Sequence, residues 1–67
     1  MKSFIIFYND IFDNMDNNFI LVWKKDKKYK IVNEGKDNNG KEIIYCLDEV
    51  GETRGIEKDI KNLFYTF

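Results

Sequence analysis

The stretch Lys28-Tyr29-Lys30-Ile31-Val32-Asn33-Glu34-Gly35-Lys36-Asp37-Asn38-Asn39-Gly40-Lys41-Glu42-Ile43-Ile44-Tyr45-Cys46-Leu47-Asp48 decides the fold class. Its first five residues alternate, with Tyr29 and Ile31 turned one way and Lys28 and Lys30 the other. That is the period of a strand with one buried face. From Glu42 to Asp48 the alternation returns, placing Ile43, Tyr45 and Leu47 on one face and Ile44 and Cys46 on the other. Between the two runs stands Asp37-Asn38-Asn39-Gly40. Asn39-Gly40 suits the pair of φ > 0 positions of a type I′ turn, so the stretch reads as a β-hairpin.

Working outward, Phe19-Ile-Leu-Val-Trp-Lys-Lys25 forms another strand, with Phe19, Leu21 and Trp23 on one face, and Asp26-Lys27 makes a tight turn into the hairpin. Residues 2–8 are apolar on both alternating faces, as in a strand covered on both sides or paired with another chain. Residues 9–18, rich in Asn and Asp, hold Ile11, Phe12 and Met15 at i, i+1 and i+4, the spacing of one helical turn with Asp10 as its N-cap. Downstream, Val50-Gly51-Glu52 turns the chain again. Ile56, Ile60, Leu63 and Phe64 lie on one helical stripe, with Glu57 and Lys61 as an i, i+4 pair. Phe64-Tyr65-Thr66-Phe67 reads equally well as a closing strand.

The chain of 67 residues makes a single domain over 1–67. A domain this small buries only about 60 % of its unfolded surface. The usual staples are missing, with one cysteine, no histidine and no proline. The net charge of −1 excludes a strongly basic nucleic-acid coat and argues against a strongly acidic DNA mimic. Lys, Asn, Ile, Phe and Tyr make up 37 of the 67 residues. These are the residues of A/T-rich codons, which lowers the weight of any lysine run. The apolar run Phe4–Tyr8 is too short for a secretory core of about 7–15 residues or a span of about 20. The expected location is the cytoplasm of a bacterial host cell.

The run Trp23-Lys-Lys-Asp-Lys-Lys-Tyr-Lys-Ile-Val32 resembles the second and third strands of small bacterial and phage SH3-like barrels. The segment Ile56 to Leu63 resembles the helical turn before their last strand, so the similarity covers residues 19–67. It implies a mostly β fold: a small, SH3-like, partly open barrel of about five strands with one short helical turn near the C-terminus. The Tyr, Trp and Pro positions of the proline-peptide groove have no residue-by-residue match here, and that function is not carried over.

Catalytic groups are scarce. Without histidine, and with Ser3, Thr53 and Thr66 as the only hydroxyl nucleophiles besides tyrosine, neither a Ser-His nor a Cys-His pair can be built. No enzymatic activity and no cofactor are expected. Asp10, Asp13 and Asp16 recur every third residue, which is not the spacing of a calcium loop. One Cys and no His exclude a tetrahedral zinc site. Cys46 reads as a small buried hydrophobe.

Two surfaces remain. Lys24, Lys25, Lys27, Lys28 and Lys30, with Trp23 and Tyr29 as stacking platforms, would suit a nucleic acid. Against this stand Asp26 in the same run and the codon bias. The second surface follows from eleven aromatic residues, more than a core of this size encloses. Charge is also polarised, at −2 over residues 1–18, +4 over 19–41 and −3 over 42–67. Trp23, Tyr29 and Tyr45 beside Asp48, Glu49 and Glu52 are therefore the candidate contacts to a partner protein. The expected role is that of a phage or mobile-element accessory protein that inhibits or redirects a larger host enzyme or defence complex. A homodimer through Phe4–Tyr8 or Phe64–Phe67 is a further expectation.

Overall fold

The computed structural model describes residues 3–60 and 62–67. Seven strands run in the order β1 (Phe4–Phe7), β2 (Ile11–Met15), β3 (Asn18–Trp23), β4 (Lys28–Lys36), β5 (Glu42–Leu47), β6 (Thr53–Glu57) and β7 (Phe64–Thr66). Five form an antiparallel sheet in the order β6-β5-β4-β1-β7, and β2-β3 is a separate hairpin. The described residues are thus mostly β, with seven strands in two sheets where about five were expected, and among them the sheets do not close into a barrel.

Alternation fills the core. Ile5 and Phe7 of β1, Tyr29 of β4 and Cys46 of β5 meet Val22 and Trp23 of β3, with Ile11, Ile31, Ile56, Leu63 and Phe64 packed around them. Trp23 stacks on Phe7 at 4.6 Å between ring centroids. The hairpin roots, not its tip, cover the inner face of the sheet. On the outer face the half-buried Tyr45 lies between two glycines. A Cβ at position 55 would come within 3.1 Å of its ring, and one at position 35 within 3.6 Å.

The turns follow local chemistry, though not where the sequence places it. Asn39 does not take φ > 0; Gly40 alone does, at 81°. The Asp37 carbonyl accepts from Gly40 N–H (3.1 Å) and the Asp37 N–H donates to the Lys41 carbonyl (2.9 Å). This is a three-residue loop ending in a left-handed glycine, not a type I′ turn. It is repeated at Asp48–Glu52, with Gly51 at φ 85° and matching bonds of 3.1 and 2.8 Å. In each, the aspartate Oδ1 accepts two further backbone N–H groups, from Asn39 and Lys41 or from Val50 and Glu52. The paired φ > 0 residues of a two-residue hairpin are instead Asp16 and Asn17, at 50° and 66°. Asn and Asp tolerate that region better than other side chains, so residues 11–15 extend as β2 and the helical turn expected there does not form.

Among the described residues the C-terminal helical turn is not seen either. Ile56 pairs with Ile44 in the ladder between β5 and β6, and Asn62 (φ 66°) reverses the chain into β7. Of the supposed helical stripe, Ile56 reaches the core from β6 and Leu63 and Phe64 from the turn into β7, while Ile60 stays exposed. Lys61, the expected partner of Glu57, lies outside the described residues; Glu57 approaches Lys41 at 3.9 Å. Phe4–Tyr8 and Phe64–Phe67, named above for pairing with a second copy, pair with each other: β1 has β4 on one side and β7 on the other. Among the described residues no helix is long and apolar enough to cross a membrane.

Candidate functional site

The hairpin β2-β3 is anchored at its root and bare at its tip. At the root, Asp10 Oδ1 accepts the Lys25 N–H (2.7 Å), Asp26 N–H donates to the Phe7 carbonyl (3.0 Å), and Glu49 N–H donates to the Val22 carbonyl (2.8 Å). Arg54 of β6 reaches across to Asp13 at 3.2 Å. Between hairpin and β6 lies an open groove of about 350 Å³, lined by Ile11, Phe12, Val22, Trp23, Arg54 and Gly55 among others.

Beyond Asp13 the hairpin leaves the body, and residues 14–20 are all exposed. Register pairs Phe12 with Leu21 and Asn14 with Phe19 on one face, and Asp13 with Ile20 and Met15 with Asn18 on the other. An exposed hairpin ordinarily keeps one polar face toward water. Here Phe19 is 76 % exposed and Phe12 56 % on one face, Met15 47 % and Ile20 41 % on the other. Asp10, Asp13 and Asp16 are the only charges between residues 3 and 23. The result is an acidic finger with apolar residues on both sides.

Of the six residues expected to contact a partner, three lie in the interior. Trp23 (5 % exposed) and Tyr29 (4 %) are in the core, and Asp48 (5 %) is buried with them. Trp23 Nε1–H donates to the Leu47 carbonyl at 3.0 Å. The Tyr29 hydroxyl donates to the Glu49 carboxylate and accepts the Lys24 N–H at 2.6 Å. Lys27 completes the bracket with Glu49 at 2.9 Å. Trp23, Tyr29, Asp48 and Glu49 are thus brought together, joining the β3-β4 turn to the β5-β6 turn. Tyr45 lies on the outer sheet face and Glu52 is exposed at the far end of its turn. The five lysines are also divided: Lys27 is held by Glu49, Lys24 and Lys25 are at the turn, and Lys28 and Lys30 are on the outer sheet face.

Burial first, and the hydrogen bond to Glu49 second, push the Tyr29 hydroxyl up to about 12. Burial likewise lifts the Cys46 thiol to about 11. Each folded value lies above the unfolded one, so each group's contribution is complete below its unfolded pKa and is lost as pH rises through the folded one. Stability is therefore expected to fall between pH 9 and 12. Tyr29→Phe should cost about 1–2 kcal/mol at pH 7, because the Lys24 N–H and Glu49 lose their partner. It should also flatten the upper part of the alkaline limb. Urea midpoints from pH 7 to the alkaline end measure both effects, and parallel curves for the two proteins would contradict the assignment.

The hairpin was legible in part. Asp16-Asn17 between Phe12, Met15, Phe19 and Ile20 has the residue types of a type I′ turn, but the i, i+1, i+4 spacing points to a helix instead. Compared with protein families, curated proteins and solved structures, the chain finds no match.

Proposed function

We propose that this is a non-catalytic binding protein of SH3-like, partly open architecture that acts by inserting the β2-β3 finger into a partner protein. The architecture is supported by the meander β4-β5-β6 and by the return of β7 to β1. The binding role rests on one observation: a hairpin fixed at its root exposes Phe12, Met15, Phe19 and Ile20 together on its two faces. Exposed apolar clusters rimmed by polar groups mark interaction sites. Asp10, Asp13 and Asp16 give the finger a negative rim, so the complementary surface is an apolar cleft with basic edges. Such a finger suits a phage or mobile-element accessory protein that occludes a host enzyme or defence complex in the bacterial cytoplasm.

The test is co-purification from bacterial lysate by the wild type and by the double variant Met15→Asp, Phe19→Asp. Both side chains are exposed, so the variant should keep its fold. The wild type should recover one partner in stoichiometric amount. The variant should bind that partner at least about 30-fold more weakly, as the loss of hot-spot contacts implies. Recovery of no stoichiometric partner, or equal recovery by both proteins, would defeat the reading.

A further inference from the structure

Opposite the core, the sheet has a face of different chemistry. Alternation along β1 turns Ile5 and Phe7 inward and Phe4, Ile6 and Tyr8 outward. Register places Lys30 opposite Phe4, Lys28 opposite Ile6, and Tyr65 opposite Ile6 on the other side, with Phe67 bonded to Phe4 at the strand end. All these side chains share one face. Four of the rings form a continuous file: Tyr8 to Tyr65 is 5.3 Å between centroids, Tyr65 to Phe67 6.1 Å and Phe67 to Phe4 5.8 Å. Tyr8, Tyr65 and Phe67 are each 43–47 % exposed.

The lysines beside the file are free. Lys27, Lys41 and Lys58 are in ion pairs, whereas Lys28 and Lys30 have none among the described residues. Lys28 Nζ lies 4.3 Å from the centre of the Phe4 ring. No acidic residue occupies a register position on this face of β7, β1 or the β1-paired part of β4. The acidic finger and the bracketed Glu49 belong to other parts of the surface.

We infer that this face binds single-stranded nucleic acid, with unpaired bases stacking on Tyr8, Tyr65 and Phe67 and phosphates neutralised by Lys28 and Lys30. Aromatic rings offered to solvent beside uncompensated cations are the components of sequence-tolerant single-strand binding. An apolar peptide would use the rings and leave the lysines idle. A duplex keeps its bases stacked on one another, so it would use the lysines and leave the rings idle. The complementarity of free lysines to phosphate and of ring faces to base faces selects the single strand. This activity uses none of the finger residues and does not depend on the protein partner proposed above.

The experiment is fluorescence anisotropy with a labelled oligodeoxythymidine of about a dozen nucleotides, within the range such sites cover. The wild type should bind in low salt, with log affinity falling against log salt at a slope of about −1.4 for two phosphate contacts. Tyr65→Ala and Phe67→Ala should each weaken binding about tenfold or more. Tyr65→Phe, which keeps the ring, should bind as the wild type does. The exposed pair Lys28→Glu, Lys30→Glu should abolish binding, and Met15→Asp, Phe19→Asp should leave it intact. Fluorescence of the buried Trp23 verifies the fold of each variant. No anisotropy change in low salt, equal or tighter binding of a duplex, or affinity unmoved by both the ring and the lysine variants would each overturn the inference. Loss of finger-dependent protein capture with oligonucleotide binding retained would instead count against the finger alone.

Discussion

Replacing Asp48 with alanine is expected to remove about 3 kcal/mol of stability, whereas the same change at Asp37 should remove about 1 kcal/mol. The two aspartates begin identical Asp-x-x-Gly turns and each accepts two backbone N–H bonds at 2.9–3.0 Å. Their surroundings differ. Asp48 is buried, and its second oxygen accepts from Arg54 Nε at 2.8 Å, while Asp37 is half-buried. Removing the Asp48 carboxylate leaves the half-buried Arg54 with Asp13 alone, so a buried charge-assisted pair is lost along with the turn bonds, which costs more than the turn bonds by themselves. Against the roughly 5 kcal/mol total of a marginal domain, the Asp48→Ala protein would be partly unfolded in mild urea.

The same carboxylate sets the acid limb. Burial works to raise its pKa, but the bond from Arg54 and the N–H groups of Glu52 and Val50 outweigh it and hold the group below its usual 3.8. The folded value is the lower one, so this contribution is complete above the unfolded pKa and is lost as pH falls through the folded one. Asp48→Asn should therefore be less stable than the wild type at pH 7 and show a flatter decline below about pH 4. Urea unfolding followed by Trp23 fluorescence gives both quantities. Equal losses at Asp37 and Asp48 would show that the Arg54 pair adds nothing to the turn.

The repeated turn shows how far the sequence could be read. Strands β4 and β5 were evident because alternation and a glycine-bearing turn agreed, and agreement between levels is what makes a fold legible. The turn type was not evident, since Asn-Gly is compatible with either one or two left-handed residues, and only the ladder register decides. The finger was misread for a related reason. Beyond Ile11, the apolar residues of its tip, Phe12, Met15, Phe19 and Ile20, have no core to face, so period 2 has nothing to distinguish it from period 3.6, and a chance helical spacing prevails. The C-terminal stripe failed because Ile56, Leu63 and Phe64 do share the core but reach it from different strands, a convergence produced by topology. For the surface, charge polarity was visible in the sequence. Which aromatics would be inside was not, because strand alternation assigns faces without saying which face another element covers.

Trp23 brings that last point to a measurement. Trp23→Ala is expected to cost about 3–5 kcal/mol, the range for emptying a large aromatic site in a core. The ring stacks on Phe7, and its indole N–H is bonded to the Leu47 carbonyl at 3.0 Å, tying β3 to the end of β5. Trp23→Phe keeps an aromatic against Phe7 and gives up that bond and some volume, so it should lose about 1–2 kcal/mol and stay folded. The reading of Trp23 as an interface anchor makes the opposite forecast, with stability nearly unchanged and partner capture abolished even in the folded Phe variant. Thermal unfolding followed by circular dichroism needs no partner and separates the two. If Trp23→Ala melts like the wild type, the stacked pair is not what holds the finger to the sheet. If Trp23→Phe is folded and still captures the partner while Met15→Asp, Phe19→Asp does not, recognition lies at the tip and Trp23 is the root on which the tip stands.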